Sequence, residues 1–335
     1  MFTRFWALFK ARMLEFRRDK AALIWSIIFP FLLVCGFGAM FSGDENALYK
    51  VGVVGQKPVS ESEFNQTKYI QFVEYKEQEK ALLKLSQHSL DLLVDFSAKQ
   101  YWVNTDAPKG YVVEQLLLQK EPDFIKQAQM GKQIRYVDWV VPGILGMNIM
   151  FGCFFGVGYV IVRYRKNSVL KRLHATPINA LEFLLAQIAS RLIIVSVTVS
   201  IVYTVANLMF DLYMIGSYLR LLFMLLLGSL SLISLSLLIA SRWESEELTN
   251  GVLNILSWPM MILSGVWFSL EGMPEFVKTL AQIFPLTHML EGMREIMFND
   301  ADLWQLRYEI GVLSLMTVVF LTISSILFRW HGSGR

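Results

Sequence analysis

The feature that most constrains this chain is a set of six long runs that contain no Asp, Glu, Lys or Arg. The runs are residues 21–43, 139–162, 192–210, 221–241, 248–270 and 310–328, each 19–24 residues long. A helix needs about 20 predominantly apolar residues to cross the hydrocarbon core of a bilayer. The 31 basic and 28 acidic residues all lie outside these runs. The sequence therefore predicts a polytopic α-helical membrane protein with six transmembrane helices.

The first run follows a basic segment, an arrangement that signal peptides share. A signal-peptide core holds about 7–15 apolar residues, whereas the run 21–43 holds 23. We therefore interpret residues 21–43 as a retained first transmembrane helix rather than as a cleaved signal.

Residues 1–20 have the pattern of an amphipathic helix. The apolar side consists of Phe2, Phe5, Trp6, Phe9, Met13 and Phe16. Arg4, Glu15 and Arg18 lie on the opposite side. This pattern is typical of a helix that lies in the membrane interface with its basic residues near anionic head groups. A longer, bent first span is the alternative.

The distribution of Lys and Arg predicts the orientation in the membrane. Residues 1–20 carry six basic residues and residues 163–172 carry five, whereas residues 271–309 carry three together with seven acidic residues. Basic residues accumulate in cytoplasmic segments. We therefore expect cytoplasmic N- and C-termini. The acidic segment 242–247 would also be cytoplasmic, and acidic residues carry little weight in this rule.

Residues 44–136 differ from the rest of the chain because they hold 12 basic and 13 acidic residues and no run of membrane-spanning length. Strand-like stretches occur at Tyr49–Val54, Tyr69–Val73, Leu90–Phe96 and Tyr101–Val103, and helical patterns at Glu77–Ser86 and Tyr111–Lys120. The alternation predicts a small α/β domain between the first and second spans. The predicted orientation makes this domain extracytoplasmic. His88 within it has no Cys or His neighbour and is interpreted as a surface residue.

Residue patterns that would indicate an enzyme are missing from the sequence. The two cysteines, Cys35 and Cys153, both lie within uncharged runs, which excludes a disulfide framework. His288 and Glu291 are one helical turn apart, but a metal site needs a third ligand. The sequence has no phosphate-binding GxxxxGK[ST] loop. We therefore predict no catalytic, metal or cofactor-binding residues, and a net charge of +3 does not indicate nucleic-acid binding.

Two long motifs carry a resemblance to a known family. They are VRYRKNSVLKRLHATPINALEFLLAQ at 162–187 and PMMILSGVWFSLEGMPEFVKTLAQIFPLTHMLEGMRE at 259–295. With the basic N-terminus, the first span and the large insert, they make the chain similar to the permease subunits of type-2 ATP-binding cassette (ABC) exporters.

The resemblance implies a permease that moves an amphipathic or hydrophobic substrate out of the cytoplasm or inner leaflet. ATP and Mg²⁺ would bind to a separate ATPase subunit, in two copies, and a second permease copy would complete a homodimer or heterodimer. Because no ATPase is fused to the chain, the resemblance also implies a bacterial inner membrane. A membrane-anchored sensor or assembly factor that binds a ligand through residues 44–136 is the alternative function.

The first motif would supply a cytoplasmic coupling helix near residues 167–176 that docks on the ATPase. Leu170 and Leu173 are three residues apart and share one helical face. The predicted coupling residues are Leu170, Lys171, Arg172, Leu173, Thr176 and Pro177. Thr176 and Pro177 are expected to start the third span. Many relatives have an acidic residue early in this loop, where this chain has Tyr164, Arg165 and Lys166.

The second motif resembles the external gate of the family. The gate residues that the resemblance implies are Pro259, Leu263, Ser264, Gly265 and Pro285. A proline within a helix removes a backbone donor and bends the helix. Pro274 and Pro285 predict two short helices, at 274–283 and 286–297, in an external re-entrant segment near residues 271–298.

Arg191 is the one charge that lies within a predicted span, about 15 Å along it if that span begins near Leu181. A charge in mid-membrane needs a partner or water. Arg191 either faces the translocation cavity or snorkels to the inner interface. The nearby pair Gly152 and Gly156 permits close helix approach, as a dimer seam or as packing within one chain.

Overall fold

The computed structural model describes residues 2–40, 49–55, 64, 67, 69–75, 77–87, 89–105, 107–129, 134–241, 245–270 and 273–328. The chain divides into two compact units. One consists of residues 1–40 and 137–335, and the other of residues 41–136. His88, residues 242–244 of the acidic loop and the basic tail from Arg329 to Arg335 lie outside the described residues.

The helices and strands follow one another along the chain as two helices, an α/β region and a long series of helices. In order they are α1 (Phe2–Arg18), α2 (Lys20–Met40), β1 (Tyr49–Val54), β2 (Ile70–Tyr75), α3 (Gln78–Ser86), β3 (Leu92–Asp95), β4 (Gln100–Asn104), α4 (Pro108–Lys120), β5 (Ile125–Gln129), α5 (Tyr136–Cys153), a π-helix (Phe154–Tyr159), α6 (Val160–Lys166), α7 (Val169–His174), α8 (Ala180–Phe210), α9 (Tyr218–Ala240), α10 (Glu246–Leu263), α11 (Glu275–Ala281), α12 (Pro285–Asn299) and α13 (Arg307–Leu327).

Within the described residues, four helices are long and apolar enough to cross a membrane. They are Tyr136–Lys166, Glu182–Phe210, Tyr218–Ala240 and Arg307–Leu327. The prediction of a helical membrane protein is therefore confirmed. The predicted first and fifth spans correspond to α2, in which Ser26–Cys35 forms a shorter apolar stretch, and to α10, an 18-residue helix that ends at Leu263. The six-span count stays a prediction.

The helix of the third predicted span, α8, begins at Ala180, close to Leu181 but after Thr176 and Pro177. Asn179 is the N-cap of α8, and it forms a capping box with Glu182. Thr176 donates instead to the carbonyl of Leu173 at 2.6 Å, at the end of α7. The expectation that Thr176 and Pro177 start this helix was wrong, because the competing capping box lies three residues further on.

The unit of residues 41–136 contains a five-stranded sheet in the order β2-β1-β3-β4-β5. Neighbouring strands are parallel except for β3 and β4, which are antiparallel with Val94 opposite Tyr101. The α/β prediction for this part of the chain is confirmed. The strand β5 was not predicted, because its sequence IKQAQ has no alternation of apolar and polar residues and its side chains are mostly exposed.

The two faces of this sheet are each covered by one helix. Val113 and Leu117 of α4 pack on one face, and Ala81 and Leu85 of α3 pack on the other. The alternation of side chains along β3 supplies both faces, since Leu92 and Val94 join the first cluster and Leu93 joins the second. Covered on both sides, the unit has its own hydrophobic core.

Candidate functional site

The segment that is predicted to couple to an ATPase contains α7, a single short helix that follows a tight turn. Ser168 precedes it with a left-handed backbone, at φ +57°. Leu170 is fully buried and Leu173 is half-buried, whereas Lys171 and Arg172 are exposed. Leu170 therefore holds α7 against its own protein, and the exposed side chains of α7 are those of Lys171, Arg172 and His174.

Arg165 fastens the segment before α7 to the end of α9. Its Nη1 donates to the carbonyl of Ala240 at 2.9 Å and its Nη2 to that of Ser241 at 3.1 Å. The side chain is buried. A cation at a helix C-terminus binds carbonyls that lack partners within the helix and complements the helix dipole. Arg165 is one of the residues that this chain has where many relatives have an acidic residue. It thus has a structural role that the sequence alone did not predict.

Lys166 adds a second link, toward α10. Its Nζ lies 3.4 Å from Oε1 of Glu247 and 3.7 Å from Oε2 of Glu246. Tyr159 also donates its hydroxyl to Glu246, at 3.4 Å. The α7 segment is therefore connected to α9 and to α10.

Helix α1 packs beside the exit of the α7 segment and along the start of α8. Arg4 donates to the carbonyl of Pro177. A cleft of about 350 Å³ lies between α1 and the residues that follow α7. Its lining consists of Arg4, Ala7, Leu8, Ala11, Thr176, Pro177 and Ile178. The predicted coupling residues Thr176 and Pro177 thus contact α1, an element that the sequence did not link to them.

Arg191 occupies a notch formed by Gly152 and Gly156. A Cβ built on Gly152 would lie 2.6 Å from Nη2 of Arg191, and one built on Gly156 would lie 2.3 Å from its Cζ. The glycines are thus needed because an arginine, rather than another backbone, fills the space beside them. Phe16 of α1 covers the guanidinium, with its ring centroid 6.0 Å from Cζ.

The predicted gate residues Ser264 and Gly265 lie in a buried network behind α10. Thr287 donates its hydroxyl to Oγ of Ser264 at 2.9 Å. Gly265 has φ +71°, and its carbonyl accepts from Nη2 of Arg294 at 2.8 Å. The guanidinium of Arg294 lies against the ring of Trp139, at 3.7 Å from Cζ to the centroid. The network joins the end of α10 to α12 and α5.

The other three predicted gate residues have no side-chain polar group and add no side-chain hydrogen bond to this network. Pro259 lies within α10 and Leu263 is its last residue. Pro285 is buried and starts α12. The two short helices predicted after α10 are present as α11 and α12. His288 is buried in α12, and its Nε2 is hydrogen-bonded with the carbonyl of Gln282 at 2.9 Å.

These features define a class of protein: a multi-pass helical membrane protein with an inserted α/β unit and a short helix anchored to several spans. The chain matches the profile of the ABC-2 family transporter protein over residues 20–326. The chain therefore belongs to this family.

Two curated relatives are similar to part of the chain. They are the probable multidrug ABC transporter permease YbhR of Escherichia coli (strain K12) and its namesake from Escherichia coli O157:H7. Each is 23% identical over 195 residues, which are 57% of this chain and 53% of the relative. The chain thus spans about half the length of the curated relatives it matches.

Proposed function

We propose that this chain is the permease subunit of an ABC exporter that moves an amphipathic or hydrophobic substrate, driven by ATP hydrolysis on a separate subunit. Family membership supports the permease assignment. The substrate class is supported by the name of the two relatives, probable multidrug ABC transporter permease, and by the apolar composition of the helices. Two ATPase subunits and a second permease copy would complete the transporter in the inner membrane.

The observation that carries the proposal is the construction of the α7 segment. A coupling element must offer a surface to a partner and pass its motion to the spans. Lys171 and Arg172 are exposed, whereas Leu170 is buried and holds the helix in place. Arg165 and Lys166 connect the segment before the helix to α9 and α10. We propose that the ATPase contacts Lys171, Arg172 and the exposed part of Leu173.

The network around Ser264, Gly265 and Arg294 supports a second part of the proposal, an external gate. Residues of α5 and α12 and the residues at the end of α10 meet there. A movement of α10 relative to α12 would break the hydrogen bonds between these two helices, and their donors would need new acceptors. Opening toward the outside would then require Thr287 and Arg294 to change partners together, which favours two discrete arrangements over a continuum.

The ATPase contact is tested by co-purification of the chain with an ABC ATPase subunit from the same organism. The double variant Lys171→Glu/Arg172→Glu is expected to lose most of the bound ATPase and of the ATP hydrolysis that the permease stimulates. Lys84→Glu/Lys109→Glu makes the same charge change in the α/β unit and should leave both unchanged. Undiminished ATPase binding by the first variant would contradict the assignment of α7.

A further inference from the structure

Two arginines from different helices converge on Gly156 within the π-helix. Arg12 of α1 donates from Nη2 to the carbonyl of Gly156 at 2.5 Å. Arg191 of α8 lies against the same residue, since a Cβ there would clash with its Cζ, Nη1 and Nε. Single turns of π-helix occur often at functional sites. The convergence places two guanidinium groups beside one distorted turn.

The positive charges of this cluster exceed the negative ones among the described residues. Glu15 is the carboxylate that reaches it, bonded to Arg12 at 2.8 Å and accepting from the hydroxyl of Tyr164. Arg12 is almost buried, with 11% of its side chain exposed. In the part of the chain that the structure describes, Arg191 has no acidic partner, and its buried Nε has no hydrogen-bond partner.

A second buried polar group lies next to Arg191 on α8. Gln187 precedes it by one turn, so the two side chains lie on the same side of the helix. Gln187 is 4% exposed, and its Oε1 has no hydrogen-bond partner among the described residues. Buried polar groups are normally paired, because leaving one unpaired costs about 1–3 kcal/mol. The guanidinium of Arg191, a charged donor with an unpaired Nε–H beside this polar amide, therefore indicates a site for an anionic ligand.

The position along α8 indicates where this ligand would lie in a membrane. Arg191 immediately precedes the uncharged run 192–210. Nineteen residues of helix extend about 28 Å, close to the hydrocarbon thickness of about 30 Å. Arg191 therefore lies at one boundary of the hydrocarbon, at the level of lipid head groups, and the predicted orientation makes this the inner boundary.

We propose that Arg12, Arg191 and Gln187 form a binding site for an anionic phosphate head group at the inner boundary of the membrane. Arginine suits this ligand because its planar fork of N–H donors matches two phosphate oxygens. Rotation of the Gln187 amide by about 180° exchanges Oε1 with Nε2, and the NH2 group then donates to the phosphate from this position. The phosphate neutralises the excess charge that the cluster otherwise buries, which removes the cost of an unpaired ion. The site holds phospholipid or a soluble phosphate ester, which share this group.

The experiment measures lipid binding to the purified full-length chain in an uncharged detergent by native mass spectrometry. Palmitoyl-oleoyl phosphatidylglycerol is titrated against phosphatidylcholine with the same acyl chains. We expect the wild type to prefer phosphatidylglycerol and Arg191→Gln to bind it about tenfold or more weakly, since charge-assisted hydrogen bonds are lost. Arg12→Gln should weaken binding in the same direction.

Arg163→Gln is the matched control, because Arg163 is an exposed arginine of α6 that is not part of the proposed site. It should keep the wild-type preference. Arg191→Lys retains the charge without the planar fork and should fall between the two, which keeps the test usable if Arg191→Gln does not fold. Size-exclusion profiles and melting temperatures identify any variant that fails to fold.

Glycerol 3-phosphate, added as a competitor, distinguishes the two sources of phosphate. Displacement of phosphatidylglycerol supports the site and identifies a soluble ester as its ligand, and no displacement supports the site with lipid as its ligand. An unchanged lipid preference in both Arg191→Gln and Arg12→Gln would overturn the proposal, as would an equal loss in Arg163→Gln. The assay uses the chain alone, so its result is independent of ATPase docking at α7.

Discussion

The guanidinium of Arg294 stacks on the indole ring of Trp139, with 3.7 Å between Cζ and the ring centroid. A cation over an aromatic face is stabilised by about 2 kcal/mol or more when it is shielded from water. The same guanidinium donates to the carbonyl of Gly265. One side chain thus holds α12, α5 and the turn after α10 in a single arrangement.

Replacing Arg294 should therefore loosen this arrangement. We expect Arg294→Met to lower the free energy of unfolding by about 2 kcal/mol and to raise ATP hydrolysis in the absence of substrate, because the resting conformation loses a contact. Melting temperature and basal ATPase activity measure the two effects. Arg307→Met is the control, since Arg307 is exposed and stacks on Trp304 at a longer distance of 5.7 Å. Unaltered melting and activity would contradict a role for Arg294 in the gate.

The left-handed backbone of Gly265 makes a second prediction. At φ +71° an L-residue is strained, so Gly265→Ala should destabilise the chain by about 1–2 kcal/mol. Gly251→Ala in α10 is the matched control, because a Cβ there meets nothing within 4 Å and alanine favours helix by about 1 kcal/mol. The two substitutions should therefore shift the melting temperature in opposite directions. A shift of the same sign for both would count against strain at Gly265.

The contact between Arg165 and α9 predicts a variant that separates binding from coupling. Arg165→Gln loses charge-assisted bonds to Ala240 and Ser241 while the exposed side of α7 is unchanged. We expect the ATPase to co-purify as before, and substrate to stimulate its activity several-fold less than in the wild type. Arg163→Gln, which removes an exposed charge two residues earlier, should preserve stimulation. Loss of ATPase binding in Arg165→Gln would show that this residue shapes the docking surface itself.

The α/β unit offers a prediction on pH. Tyr101 is buried and donates its hydroxyl to Oε1 of Glu114 at 2.8 Å. Burial, together with the adjacent carboxylate, raises the pKa of Tyr101 well above its ordinary value. The neutral phenol thus stabilises the fold below a pH of about 10, and this stabilisation is lost as the pH rises further, because the unfolded chain ionises first.

Tyrosinate absorbance of the native chain at a pH of about 11 measures this shift. Tyr101→Phe should leave the absorbance unchanged, since this tyrosine does not ionise in the folded protein. Tyr111→Phe is the matched control at a tyrosine that is 64% exposed, and it should lower the absorbance. Equal decreases in the two variants would show that Tyr101 ionises as an ordinary surface tyrosine does.

The sequence by itself determined which parts of this protein are helices in a membrane and which part is an α/β unit. Uncharged runs of 19–24 residues and the periodicity of apolar residues are local properties, and local hydrogen bonding and hydrophobicity decide them. The positions of α9 and α13 follow from their runs to within a few residues. The strand β1 has the predicted bounds for the same reason.

The partners of single polar side chains were decided by the tertiary structure alone. In the sequence Arg165 is one of several basic residues of the same segment, yet in the structure it binds carbonyls about 75 residues away at the end of α9. Gly152 and Gly156 predicted close helix packing, and they accommodate the side chain of Arg191 instead. Leu170 was predicted to form part of a docking face, but its side chain is buried within the chain. These contacts join residues distant in sequence, so no local periodicity encodes them, and only the packing of the helices brings the groups together.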